Sequence, residues 1–264
     1  MKPQEIVNMI GSLVFWGILL AAAGTFLSSL VFFLSPDLAV TLFQGIPIGE
    51  DYAYGHWGSM IVAVLIFSYF VVSFSRPMKK REWRNLGIYE AFLVALFTEM
   101  YGFPLTIYIL TSVFGVSLSF GHTEGHLLAV LLSKMGIMDI NRAWAFVMAL
   151  STLLLLIGFI LVRNGWREIY HSTGELVTEG VYSRIRHPQY LGLLVITIAF
   201  LIQWPTILTV AMWPVLLVMY YHLAKKEEAN LLEKFGDAYS EYLSRVPMFI
   251  PILQYNIKQR EVEP

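Results

Sequence analysis

The sequence predicts an all-α, polytopic transmembrane helical bundle, and three observations carry that prediction. Of 264 residues, 57% are hydrophobic and only 14% charged, and the mean hydropathy is strongly positive. Such a composition makes the bilayer the chain's solvent. The apolar residues fall in blocks long enough to cross a hydrocarbon core of about 30 Å at about 1.5 Å of helix per residue. The Lys and Arg residues collect on alternate loops, as the positive-inside rule expects of a spanning protein. A net charge of −1 gives no argument for a nucleic-acid partner. The absence of cysteine excludes disulfides, thiolate metal sites and a cysteine nucleophile.

About six membrane segments follow in order. The first block runs from Gly11 to Leu34 and stops at Ser35-Pro36-Asp37; with no small-residue cleavage site it reads as a retained helix. A second, from about Trp57 to Phe74, ends at the cationic run Arg76-Pro77-Met78-Lys79-Lys80-Arg81. A third, about Gly87 to Val113, carries Glu90, Glu99 and Pro104. After a mixed segment, a fourth runs from about Ala143 to Val162. Two shorter segments, about Tyr190 to Gln203 and Thr206 to His222, flank Trp204-Pro205 and read as a helical hairpin. Beyond it, the spacing of Leu231, Phe235, Tyr239 and Tyr242 fits an amphipathic helix lying on the cytoplasmic membrane face.

With the N-terminus inside, only Lys134 and Arg142 of the 18 Lys and Arg residues fall outside. That asymmetry orients both termini, and the stretch from Gly174 to Gly192, toward the cytoplasm. The membrane is then the cell membrane in a prokaryote and the endoplasmic reticulum in a eukaryote. The stretch itself supplies Tyr182, Arg184, Arg186, His187 and Tyr190 within nine positions, a density of cations, imidazole and phenols that a connecting loop does not need. The hairpin brings Lys225-Lys226-Glu227-Glu228 back to the same depth.

These residues carry a resemblance. Leu176-Val177-Thr178-Glu179-Gly180-Val181-Tyr182, Arg186-His187-Pro188-Gln189-Tyr190-Leu191-Gly192, and Glu227-Glu228 followed by Phe235-Gly236-Asp237-Ala238-Tyr239 and Tyr242 resemble the core of the isoprenylcysteine carboxyl methyltransferase family, related to the phospholipid methyltransferases. The resemblance covers roughly Val162 to Pro251. It divides the chain into N-terminal transmembrane helices, 1–142, substrate-side or structural, and a methyltransferase core, 143–264. It implies an integral membrane enzyme that uses S-adenosylmethionine on the cytosolic side. The family carries an arginine a few residues before its glutamate pair, where Leu223 stands here with His222, Lys225 and Lys226 around it.

The chemistry of the residues agrees with that cofactor, which needs cations or backbone donors for its carboxylate, carboxylates for its ammonium and an aromatic wall for its adenine. Arg186 and His187 can meet the first, Glu227 or Glu228 the second, and Tyr182 and Tyr190 the third. Arg186 and Glu228 are the expected catalytic pair. No glycine-rich strand-turn-helix fingerprint is present. Plainer readings stand beside these: a phosphate-facing anchor for Arg184 and Arg186, a helix start for His187-Pro188, and a solvated charge run for Glu227-Glu228. The resemblance favours the site, and Arg186 over Arg184.

No metal site is expected. His122, Glu124 and His126 lack the zinc-protease spacing and a further ligand. Glu99, in an apolar helix, lines a cavity or makes a hydrogen bond within the bundle, because an isolated carboxylate there is costly. The expected function is methyl transfer to a lipid-like or small hydrophobic acceptor at the cytoplasmic face, with membrane lipids as surroundings. The alternative is a non-enzymatic ligand-binding or transport protein, which would spread polar groups through the midplane and pair broken helices in two halves. Acceptor specificity is expected before Ala143, where Glu90, Glu99, Tyr101 and Tyr52-Ala53-Tyr54 are the polar groups.

Overall fold

The computed structural model describes residues 3–42, 54–74, 83–115, 125–172 and 174–250. The cationic run 76–81, Tyr52, Ala53, His122 and Glu124 lie outside them. Among the described residues every regular element is a helix: α1 Pro3–Leu34, α2 Pro36–Leu42, α3 Trp57–Phe74, α4 Trp83–Phe97, a π turn Thr98–Gly102, α5 Leu105–Phe114, α6 Leu127–Lys134, α7 Ile140–His171, a 3₁₀ turn Gly180–Ser183, α8 Pro188–Gln203, α9 Ile207–Phe235 and α10 Asp237–Arg245. Three of them are long and apolar enough to cross a membrane, over Met9–Leu34, Ile140–Tyr170 and Ile207–Phe235. A bent pair and the shorter apolar helices Trp57–Phe70 and Pro188–Gln203 accompany them. The apolar blocks read from the sequence fall on these helices.

α7 is the central post. Asp139 starts it by accepting from the amides of Asn141 and Arg142, both at 3.1 Å, which satisfies donors that a helix start leaves unpaired. It packs on α8 through glycines. A Cβ on Gly158 would lie 2.8 Å from the carbonyl oxygen of Gly192, and one on Gly192 would lie 2.8 Å from that of Gly158. Small residues are what let two helix backbones meet in a bilayer, where apolar surface has no aqueous alternative to escape. The same seam sets Gly165 against Pro188, with 3.0 Å from a Gly165 Cβ to the Pro188 ring. The start of α8 is thereby pinned to the end of α7. Around the seam, Phe70 packs edge-on to Phe159 at 4.9 Å and Phe67 to Phe200 at 5.3 Å.

Two elements differ from the sequence reading. The block expected as one helix from Gly87 to Val113 breaks, with 71° between its halves. Pro104, lacking an amide hydrogen, cannot continue the ladder. The carboxylate of Glu99 caps the second half, accepting from the Thr106 amide at 2.8 Å, and the Thr106 hydroxyl accepts from the Ile207 amide at 2.8 Å. The hydrogen bond within the bundle is thus the observed role of Glu99. In the hairpin, Thr206 and Thr209 form a capping box that starts α9, and α9 continues unbroken to Phe235. Lys225 to Glu228, good helix formers, extend it, and it ends only at Gly236, whose φ is +54°. The amphipathic segment after the hairpin is therefore two pieces, the last turns of α9 and the separate α10.

Candidate active site

The C-terminal end of α7, the start of α8 and the end of α9 meet at one end of the bundle, and α10 closes over them. Between α7 and α8, Gly180 turns the chain with φ +59° into the 3₁₀ turn. A Cβ there would fall 2.1 Å from Oε1 of Glu168, so any side chain would adopt a strained φ and displace that carboxylate. That carboxylate accepts from the Val181 amide at 3.3 Å. Tyr182 follows, buried, its hydroxyl donating to the Gly165 carbonyl at 3.2 Å and accepting from Gln189 Nε2. The segment after α10 ties back as a strap. The amides of Arg186 and His187 donate to the carbonyls of Pro247 and Met248 at 3.0 and 3.2 Å.

α10 presents Tyr239 and Tyr242 inward, while Asp237, Ser240 and Glu241 face out. The Tyr242 hydroxyl donates to the Tyr182 carbonyl at 2.7 Å. Burial raises the pKa of both Tyr182 and Tyr242 above the ordinary phenol value. For Tyr239 burial, followed by the nearby negative charge of Glu228, pushes the value up to about 12. A phenol whose folded pKa lies above its unfolded 10.0 contributes stability that is complete below pH 10.0 and lost as pH rises through the folded value. The α10 cap is therefore expected to detach between about pH 10 and pH 12. Hydrogen exchange at Asp237 to Arg245 checks this, with protection at pH 12 equal to that at pH 9 as the contrary result.

At the centre Arg186 and Glu228 form an ion pair, Nη2 to Oε1 at 2.9 Å, with side chains only 10% and 6% exposed. Nη1 of Arg186 donates to the Leu243 carbonyl at 2.9 Å, and Lys225 Nζ meets the other oxygen of Glu228 at 3.1 Å. His187 lies between two carboxylates, with Nε2 3.4 Å from Glu228 and Nδ1 3.6 Å from Glu227. The Tyr190 hydroxyl donates to Glu227. Its ring stacks on His187 at 5.6 Å on one side and on Tyr220 at 5.4 Å on the other. Arg186 Nε is buried and makes no hydrogen bond among the described residues, and His187 Nε2 makes none beyond its 3.4 Å approach to Glu228. Unpaired buried donors or acceptors are uncommon in a finished core.

All six residues singled out as cofactor-binding, Tyr182, Arg186, His187, Tyr190, Glu227 and Glu228, are thus at one end of the bundle. They divide into a pair of neighbouring groups. Arg186 and the ring of Tyr182 line a cavity of about 380 Å³ under α10, together with Leu176, Leu231, Phe235 and Tyr239. His187, Tyr190, Glu227 and Glu228 do not line that cavity and are joined to it through the Arg186–Glu228 ion pair. Arg184 is exposed. From α9 itself Lys225 supplies a cation to Glu228, while Leu223 packs against the apolar core.

Sequence reasoning missed Glu168 and Gln189. Elsewhere, Tyr101 and Gln203 line a second, apolar cavity of about 690 Å³ between α1, α3, α7 and α8. Glu90 is exposed, and Tyr54 packs edge-on to Trp204 at 6.0 Å. His126 is buried against Trp204 at 4.8 Å. Among the described residues, no group of histidine and acidic residues is arranged to hold a metal.

Comparison with known proteins meets this same region. Residues 146–238 match the phospholipid methyltransferase family model. A protein-S-isoprenylcysteine O-methyltransferase of Schizosaccharomyces pombe is 30% identical over 79 residues, 30% of this chain and 34% of that protein. Protein-S-isoprenylcysteine O-methyltransferase B of Arabidopsis thaliana is 34% identical over 90 residues, 33% of this chain and 43% of the relative. A Delta(14)-sterol reductase of Mus musculus is 34% identical over 89 residues, 31% of this chain and 21% of its own length. The matches thus span less than half the length of each of these relatives. The matched stretch holds α7 from Phe146 through α9, and with them every residue of the ion-pair cluster. Over residues 146–238, the stretch that holds the cluster, the chain is thus similar to the phospholipid methyltransferase family, and over comparable lengths to protein-S-isoprenylcysteine O-methyltransferases.

Proposed function

We propose that this protein transfers a methyl group from S-adenosylmethionine to a lipid-like or small hydrophobic acceptor at the cytoplasmic membrane face. The observation that carries the reading is the Arg186–Glu228–His187 cluster beside an aromatic-walled cavity. Its buried Arg186 Nε makes no hydrogen bond among the described residues, and His187 Nε2 has only its 3.4 Å approach to Glu228, as expected of a site built for a ligand with its own polar groups. When bound, S-adenosylmethionine supplies an electrophilic methyl group. Arg186 and His187 would hold its carboxylate, Glu227 and Glu228 its ammonium, and Tyr182, Phe235 and Tyr239 its adenosine. Alignment is the protein's main task in such a displacement. α10 and the strap after it exclude water, and an apolar acceptor enters from the bilayer side.

The charge arrangement favours a particular acceptor. Among the described residues of the cluster, Lys225 engages Glu228 and Arg186, paired with Glu228, is assigned to the cofactor's carboxylate, so no further cation is left for an acceptor carboxylate. Glu227 is 39% exposed against 6% for Glu228, and its solvent-facing oxygen would take the proton that an amine acceptor releases. An amine or neutral acceptor is thus preferred over a prenylcysteine-type carboxylate. Incubating membranes with methyl-labelled S-adenosylmethionine checks this: the label is expected to survive mild base, as N-methyl and S-methyl groups do. Base-labile label identifies a methyl ester and contradicts the preference.

The similarity to a sterol reductase supports a second reading in which the same cavity holds a hydride donor such as a reduced nicotinamide dinucleotide. The titration that closes the Discussion separates the two. Transport is disfavoured because the titratable cluster gathers at one end of the bundle and not at its midplane.

A further inference from the structure

We propose that Tyr220 is a positioning residue for the cofactor site, setting the plane of Tyr190 and through it the carboxylate of Glu227. The inference rests on the S-adenosylmethionine reading above. Tyr220 lies on α9, 4% exposed, seven residues before Glu227 and so on nearly the same helix face. Tyr190, on α8, occupies the gap between them. Its ring lies 5.4 Å from that of Tyr220 with 19° between the planes, and 5.6 Å from that of His187 with 21°. Three rings therefore stack in one column, with Tyr220 as its base.

The column has a direction. Its middle member donates its hydroxyl to Glu227, and its outer member stands 3.6 Å from the same carboxylate. Glu227 is partly exposed and belongs to a long side chain with several rotamers, so a hydrogen bond from one side and the imidazole on the other are what fix it. Tyr190 can only offer that bond while its ring is held, and the base of the stack is the contact that holds it from the core side. The polar end of Tyr220 is not needed for this role; its ring is.

The test is S-adenosylmethionine binding by purified protein in detergent, measured calorimetrically, together with thermal unfolding. Tyr220→Leu is expected to weaken binding about tenfold, the order that a lost aromatic pair carries. Tyr220→Phe, which keeps the ring, is expected to bind within about twofold of wild type. Tyr220→Met fills similar space without a ring and is measured alongside, so that a folding failure of the leucine variant leaves a result. Phe159→Leu makes the same change at a buried ring outside the column and is expected to lower stability while leaving affinity unaltered. Leucine and methionine variants that bind like wild type overturn the inference. Equal losses in Phe159→Leu overturn it too, since they reduce Tyr220 to general packing. No binding by wild type overturns the cofactor reading itself, and this inference with it.

Discussion

Glu228→Ala is expected to cost about 3–5 kcal/mol of stability and to remove S-adenosylmethionine binding, the largest single effect in the site. The side chain it removes is 6% exposed and pairs with a guanidinium that is itself 10% exposed. Desolvating two charges is compensated only while both are present, so truncating one leaves the other stranded with the Leu243 carbonyl as its remaining acceptor. Arg186→Ala is expected to behave alike. The informative variant is the double replacement Arg186→Met with Glu228→Leu, which substitutes apolar volume for the pair. It is expected to recover most of the stability lost in either single variant, yet to bind no cofactor. Thermal unfolding and ligand titration on the four proteins separate the roles. A stable double variant that binds like wild type would make the pair structural only.

The second large effect is expected far from any charge. Gly192→Ala and Gly158→Ala insert a Cβ 2.8 Å from a facing carbonyl oxygen, with Val162 Cγ2 at 2.7 Å in the first case and Ile196 Cγ1 at 2.6 Å in the second. Neither backbone can yield without separating α7 from α8. Overpacking of this kind costs about 1–3 kcal/mol for one carbon, and more for leucine. The seam also sets Pro188 to Tyr190 against Gly165, so binding is expected to fall by at least about tenfold even where the alanine variants fold. Gly17→Ala and Gly24→Ala on α1 meet nothing within 4 Å and are expected to be neutral. Equal behaviour of the two glycine pairs in size-exclusion profile and ligand titration would contradict the seam.

Much of this was legible before any coordinates. The apolar blocks gave the helices because a spanning segment announces itself by length and composition. Arg186, His187, Tyr190, Glu227 and Glu228 were legible as a group because a membrane chain has few titratable residues, and these lay at both ends of one hairpin. What stayed hidden was three-dimensional. The break after Glu99 needed the knowledge that its carboxylate would cap the next helix, since Pro104 alone permits either a kink or a stop. The continuation of α9 to Phe235 was masked by the change from apolar to charged residues at Lys225, which marks the membrane boundary and not the helix end. Glu168 was silent because its partner, the Val181 amide, is a backbone group. Tyr220 read as one more apolar residue in a span.

The account turns on whether the cluster holds S-adenosylmethionine. Calorimetric titration of the purified, folded protein with S-adenosylmethionine, and in parallel with a reduced nicotinamide dinucleotide, tests it most directly. The account predicts saturable binding of the first that Arg186→Ala and His187→Ala each weaken by about tenfold or more, and none of the second. Binding of the nicotinamide alone, or of neither ligand by a protein whose unfolding transition is intact, would contradict it.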